Sequence, residues 1–362
     1  MKKLFSLIII SILLVFMASS IGMAKETIEM WTLHVDTNPP REVIDDAIER
    51  FENDHPDYEI DHVANENDQY KEKIKVAFSA DNEPDIFMTW GSGTLRPYVE
   101  EGKVYELTDE LEAGWEDRFL DSAMGLGEID GEYYGVPMIT MAPAVFWYRT
   151  DIFEEYGLEP PETHEEFIEI VETLKENGVT PIAFANKDQW PGLFYYMYYL
   201  DRIGGPEPFV EAANRENGTK FNDPEFIKAG QMLQDLVEMD AFNKGFNGME
   251  YDSGEARMLI YSDKAAMDLM GYWEYAQFQK EDPETAENID FFVFPGLKSG
   301  IGDSSNLLGT PGDNYFSVTE KSEHKEMAIE FLKYLSDEKA AEKQVEIGNI
   351  PPFEGVDEML ED

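Results

Sequence analysis

The 362-residue sequence has no cysteine. A disulfide framework, a thiol nucleophile and a lipid-modified cysteine near the N-terminus are therefore all excluded. Basic residues are scarce: 28 Lys and Arg stand against 76 Asp and Glu, for a formal net charge of -48. Such a surface repels a phosphate backbone, so nucleic acid is not an expected partner. The acids recur along the whole chain, as in VIDDAIERFENDHPD and ETHEEFIEIVETLKENG, instead of forming one tail. That pattern implies a solvated acidic shell. It is expected of a halophilic source, where salt screens the self-repulsion, and also fits an acidic protein kept soluble by charge.

Long apolar runs are missing everywhere except at the start. There Lys2 and Lys3 precede an apolar run from Leu4 to about Ala18, followed by small residues at Gly22 and Ala24. The run is shorter than the ~20 residues of a membrane-spanning helix, so residues 1–24 read as a secretory signal peptide cut after Ala24. The remainder, with a net charge of -50 once Lys2 and Lys3 are gone, is expected to be soluble in the periplasm or another extracytoplasmic space, and not a lipoprotein. Its 43% hydrophobic and 13% aromatic content is enough to fill two cores.

Chemical motifs are also missing. There is no G-x-x-x-x-G-K-[ST] loop, G-x-S-x-G elbow, H-E-x-x-H pair or G-x-G-x-x-G helix opening, and GLGEIDG has the wrong spacing and acids that would repel phosphate. His34, His55, His62, His164 and His324 never fall at metal-ligand spacing, and His55 and His62, flanking a predicted strand, read as surface residues. No metal, cofactor or catalytic residue is expected. Among so many carboxylates a glycosidase-type acid pair can be neither chosen nor dismissed by inspection.

What is present is an alternation of strands and helices. TIEMWTL, DYEIDHV and PDIFMTW read as strands. Between them lie a helix opened by Pro40 with Ile44, Ala47, Ile48 and Phe51 on one face, and a second from Asp68, its expected N-cap, to Phe78. Farther on, Thr163 and Glu166 form a capping box ahead of Phe167, Ile170, Val171 and Leu174, with Asn177-Gly178 as the stop. TPIAFAN, KAAMDLMG, IDFFVFP and NYFSV add strands, a helix runs from about Pro224 to Met239, and a last one, capped by Ser322, carries Ala328, Phe331, Leu332 and Leu335. The expected class is α/β with mostly parallel sheets. Two lobes would be joined through short segments near Met141–Ala144 and Leu307–Thr310.

Three indoles follow predicted strands: Trp90, Trp273 just after Gly271, and Trp190 in a Pro-Gly loop. Ligands of open α/β sheets bind beyond the carboxyl ends of strands, and sugar rings pack their C–H faces on aromatic walls while polar groups hold the hydroxyls. Core or rim packing is the alternative for each indole.

Four segments, in order, carry a resemblance to a known family: YKEKIKVAFSADNEPDIFMTWGSGTLRPYVEEGKVYELTDEL; GEYYGVPMITMAPAVFWYRTDIFEEYGLEPPETHEEFIEIVETLKENGVTPIAF; KAAMDLMGYWEY; and FSVTEKSEHKEMAIEFLKYLSDEKAAEKQVEIGNIPP. Together they resemble extracellular solute-binding protein family 1, the sugar-capturing components of ABC importers, which includes maltose-binding proteins. The family's usual YNKDLF stands here as YRTDIF. The resemblance implies a type II periplasmic-binding-protein fold, in which two α/β lobes joined by hinge segments close on a sugar without chemistry. The first lobe would hold residues 25–142 and 309–350, the second 143–308 and 351–362. The chain stops at Asp362, before helices that in the family complete the second lobe. Trp90 and Trp273 match the family's sugar-stacking aromatics, while His34, Asp36 and Asn67 fall in loops that supply polar contacts; Trp190, Asp313 and Asn314 are further candidates. In GYW, Gly271 is expected to free the backbone for a turn and Tyr272 to pack away from the ligand. The implied partners are a sugar, more an oligosaccharide than a monosaccharide, and the membrane permease of an ABC importer, with the binding protein itself a monomer. A secreted carbohydrate-active enzyme, or a binder of a non-sugar solute, remains the alternative.

Overall fold

A computed structural model describes residues 25–139, 141–310 and 312–360. The expected signal peptide, residues 1–24, lies outside the described residues. Along the chain the main strands are β1 (Glu26–Thr32), β2 (Tyr58–Ala64), β3 (Ile86–Thr89), β4 (Val136–Ile139), β5 (Ala142–Arg149), β6 (Thr180–Ile182), β7 (Ala265–Gly271), β8 (Ile289–Phe292) and β9 (Asp313–Val318). They form two sheets, in the orders β2-β1-β3-β9-β4 and β8-β5-β7-β6.

The first sheet begins with parallel pairs, β1 with β2 and with β3, as the strand–helix alternation requires. Most strands of each sheet run in one direction, as expected, and one strand in each runs against the rest. β9 runs antiparallel to β3 and β4, and β5 antiparallel to β7 and β8. The cause is the direction of entry. β1, β3 and β4 end at the edge facing the other sheet, whereas β9 arrives from that edge and must run back.

The chain crosses between the sheets from Ile139 to Ala142 and again from Thr310 to Asp313. The two crossings lie side by side: Gly309 and Thr310 pair antiparallel with Pro143 and Ala142. Gly309, at φ 128°, comes so close to the Ala142 carbonyl that any Cβ there would overlap it.

Each sheet has its own core. In the first, Phe51 of helix Arg41–Asp54 and Phe331 of helix Lys325–Leu335 meet edge to face at 5.4 Å, over a layer including Met30, Phe87 and Phe316. In the second, Phe146 stacks between Phe292 and Phe294 at 5.1 and 5.6 Å, beneath Phe167 and Tyr195. Helix His164–Glu176 carries the expected capping box, with the Thr163 hydroxyl accepting from the Glu166 N–H and the Glu166 carboxylate accepting from the Thr163 N–H.

Four local expectations are corrected. Glu66, not Asp68, occupies the N-cap of helix Asn67–Ser79, placing Asp68 in its first turn. His324, not Ser322, is the cap residue of helix Lys325–Leu335, and the Ser322 hydroxyl accepts from its N–H. Trp190 does not sit in a loop. It opens helix Trp190–Gly204, where Pro191 falls in the first turn and lacks only a donor that no helical partner would accept. Finally, the segment after Ile350, expected in the second lobe, packs on the first: Phe353 is buried in its core, 5.6 Å from Phe119.

Arg202 ties the second lobe to the returning crossing. Its guanidinium is fully buried, pairs with Asp201 at 2.5 Å, and donates to the carbonyls of Phe294, Asp303, Ser304 and Asn306. The neighbouring Tyr198 hydroxyl donates to the Ala144 carbonyl and accepts from the Leu308 N–H. Arg202→Leu would leave Asp201 and four carbonyls without that donor, so unfolding in urea should show a loss of about 3–5 kcal/mol.

Candidate functional site

A cavity of about 1000 Å³ lies between the two sheets. Its first wall is built from strand ends. His34 follows β1, Asn67 follows β2, Trp90 follows β3, Ile139 ends β4, and Asp313 and Asn314 begin β9. On the opposite wall Trp273 follows β7, Trp190 opens the helix after β6, and Tyr251 to Gly254 come from a long loop. The cavity therefore sits where carboxyl ends of strands from both sheets converge, as open α/β sheets favour.

Seven of the eight expected site residues line this cavity: His34, Asn67, Trp90, Trp190, Trp273, Asp313 and Asn314. Asp36 does not. Its side chain is 91% exposed and pairs with Arg41 at 3.1 Å, which draws it out of the cleft; Val35, Thr37 and Asn38 present that loop to the cavity instead. Tyr272 is outside the lining and packs beside Trp147, with ring centroids 5.7 Å apart.

The wall contains buried polar atoms without hydrogen-bond partners: both ring nitrogens of His34, Oδ1 of Asn67, Nε1 of Trp190, Oε1 of Gln277 and Oδ1 of Asn314. Buried polar atoms are nearly always paired, so a cluster of orphans around one cavity points to a polar occupant. Asn314 is also held at φ 55°, a left-handed conformation that only a few residue types besides glycine accept, and this aims its carboxamide within the wall.

Trp273 is positioned by a network that the sequence did not suggest. Its Nε1–H donates to the Tyr251 hydroxyl at 2.8 Å, and that hydroxyl donates to the fully buried Glu274 carboxylate at 2.5 Å. Arg257 lies 3.6 Å from Glu274 and donates through two nitrogens to Glu281, both at 2.9 Å, while the Tyr261 hydroxyl also donates to Glu281. Gly271 does not take the left-handed backbone of a turn glycine. Its missing Cβ leaves room for the Trp273 ring, which lies against it.

Electrostatics divide the wall. Burial pushes the His34 imidazole down to about 4; the nearby Asn314 carboxamide opposes the shift without reaching hydrogen-bond geometry, and Arg41 adds to it. His62, expected at the surface, is half-buried, shares a 2.7 Å hydrogen bond with the Thr32 hydroxyl, and is pushed down to about 3 by burial, Arg41 and His34. Asp252 is pushed up to about 6 by burial and by Glu66, Asp68 and Asp188, against Lys71. Burial also pushes Asp313 up to about 6, against hydrogen bonds from Asn314. Among the described residues no group of three or more His, Asp or Glu is arranged to hold a metal. No described helix is long and apolar enough to cross a membrane.

Residues 36–342 match the family model described as bacterial extracellular solute-binding protein. The "Multiple sugar-binding protein" of Streptococcus mutans is 28% identical over 232 residues, 62% of this chain and 52% of that protein. The "Melibiose/raffinose/stachyose-binding protein" of Bacillus subtilis is 24% identical over 97% of this chain and 81% of its own length. The chain covers between 52% and 65% of the length of the Streptococcus protein and of two uncharacterized extracellular-binding proteins of Pyrococcus horikoshii. A structure described under xylan utilization by Caldanaerobius polysaccharolyticus superposes with a TM-score of 0.84 at 32% identity, covering 91% of this chain and 82% of its own. A chitin oligosaccharide binding protein at 23% identity shares the two-lobed fold, with a TM-score of 0.81.

Two outcomes test the wall. Tyr251→Phe removes the acceptor of Trp273 and the donor to Glu274, and is expected to cost about 1–3 kcal/mol in urea unfolding and to shift tryptophan emission. His34 stays neutral in the fold down to about pH 4, whereas the unfolded imidazole takes a proton below about 6.5. The unfolded chain thus binds more protons in that window, and His34 removes stability as pH falls from 6.5 to 4. Asp252 and Asp313, protonated in the fold from about 6 downward, act with the opposite sign. The parent alone would mix the two effects, so the comparison is with His34→Gln, whose stability relative to the parent should rise by about 3 kcal/mol between pH 7 and pH 4 in paired denaturation curves.

Proposed function

The chain belongs to the bacterial extracellular solute-binding protein family, and on that premise we propose that its cleft captures a sugar, an oligosaccharide in preference to a monosaccharide, for delivery to the permease of an ABC importer. The observation that carries this reading is the composition of one cavity: three indoles together with buried polar atoms that lack partners, supplied by both sheets. Indole faces suit the C–H faces of sugar rings, and the orphaned atoms suit hydroxyls, which both donate and accept. A volume of about 1000 Å³ is at the upper end of the roughly 300–1,000 Å³ common for small-ligand sites, which favours several rings over one.

In this reading the protein is an extracytoplasmic monomer, exported by residues 1–24, that does no chemistry on its ligand. The lobes are residues 25–142 with 309–360, and 143–308, and the paired crossings act as the hinge. Closure then follows from contacts made to both walls at once, because a ligand favours a state only by its differential affinity for it.

A thermal-shift panel of oligosaccharides finds the ligand, since one at a hundred times its dissociation constant adds about 2.7 kcal/mol. With that ligand, Trp90→Ala and Trp273→Ala should each weaken calorimetric affinity by about tenfold or more, the loss of roughly 1.4 kcal/mol of ring contact, with folding kept. Unchanged affinity in both variants would remove the indoles from the site. Product released on incubation with labelled oligosaccharide would favour an enzyme instead.

A further inference from the structure

The cavity wall carries the carboxylates of Glu66, Asp252, Glu281, Asp282 and Asp313 against two cations, Lys71 and Arg257. Both cations are already engaged. Lys71 lies 3.3 Å from Asp68 and 5.2 Å from the centre of the Trp90 ring. Arg257 gives two hydrogen bonds to Glu281, and its Nη1, which has no hydrogen-bond partner, is held 3.6 Å from the Glu274 carboxylate as an ion pair. Behind the second wall Glu274 is fully buried and Asp268 nearly so. Asp188 is held at the same face by the Tyr251 N–H, at 3.1 Å.

An ionised carboxylate only accepts hydrogen bonds, so it suits a hydroxyl and offers nothing to a second carboxylate. A uronic acid group entering this cleft would be desolvated beside like charge and would have to compete with a carboxylate already paired to each lining cation. Resting on the sugar-binding reading, we propose that the cleft selects by charge: it takes uncharged oligosaccharides and rejects those bearing uronic acid carboxylates, with Glu66 on one wall and Asp252 on the other as the discriminating groups. Asp252 is displaced upward by burial first and then by Glu66, Asp68 and Asp188, against Lys71, in keeping with walls that resist one more negative charge.

The test uses matched pairs on the whole protein by titration calorimetry at low salt: cellotriose with its triuronate, galactotriose with trigalacturonate, and xylotriose with glucuronosyl-xylotriose. Where a neutral member binds, its uronate partner should bind at least about a hundredfold more weakly, as a like-charge juxtaposition of several kcal/mol implies. That ratio should shrink in 1 M salt, where the screening length is about 3 Å. In the Glu66→Gln, Asp252→Asn double variant the ratio should fall by about tenfold for two removed charges near a protein surface. A uronate that binds as tightly as its neutral partner overturns the charge filter and leaves the sugar reading standing. An unchanged ratio in the double variant overturns the assignment to these two residues. If no member of any pair binds, the sugar reading fails and the filter fails with it.

Discussion

The short antiparallel contact between Gly309–Thr310 and Ala142–Pro143 is the constraint on which the rest of the arrangement depends. Because the two crossings are paired, the chain leaves the first sheet and returns to it at one place. Strands that end there, β1, β3 and β4, and the strand that begins there, β9, must therefore run in opposite senses, and all of them present their cleft-side ends to one cavity. Gly309 allows the crossings to approach, and Arg202 with Tyr198 holds the segment leading into the second one against β5.

On that frame the two walls are made differently. The first is mostly strand ends, with His34 and Asn314 fixed by backbone that is itself in the sheet or just beyond it. The second depends on a loop and a helix, Tyr251 and Arg257, whose side chains brace Trp273 from behind. Buried ionic groups of this kind contribute little net stability, since desolvation cancels most of the attraction. Their effect is to hold one indole in one orientation. The ring sits over Gly271 on one side and its N–H is fixed on the other.

Much of this was legible in sequence wherever the determinant was local. The capping box at Thr163 and Glu166 needs only three residues' separation, and Trp90 and Trp273 were found because a strand pattern ends just before each. The direction of β9 was not legible, because it follows from where the crossings meet and not from any pattern in NYFSV. Trp190 was misplaced because Pro-Gly reads equally as a loop and as a first helical turn. Asp36 failed because residue type does not reveal which way a loop side chain points once Arg41 competes for it. Tyr251 and Arg257 were missed because their partners are far along the chain: Tyr251 meets Glu274 23 residues on and Arg257 meets Glu281 24 residues on. The rarity of basic residues was the one available signal, since in so acidic a chain a buried arginine must have a reason to be there.

The orphaned polar atoms connect the wall to the proposed closing motion. In an open cleft, water would satisfy His34, Asn67, Gln277 and Asn314. Bringing the walls together without a ligand strips that water, and each buried group left unsatisfied costs about 1–3 kcal/mol. Asp252, faced by Glu66 and Asp68 from the first wall, adds repulsion to the same closed, empty state. A polyol that bonds to both walls removes the desolvation cost at the moment the lobes meet. In the proposed sugar-binding reading, the same unpartnered atoms would also make closure depend on the occupant of the cleft.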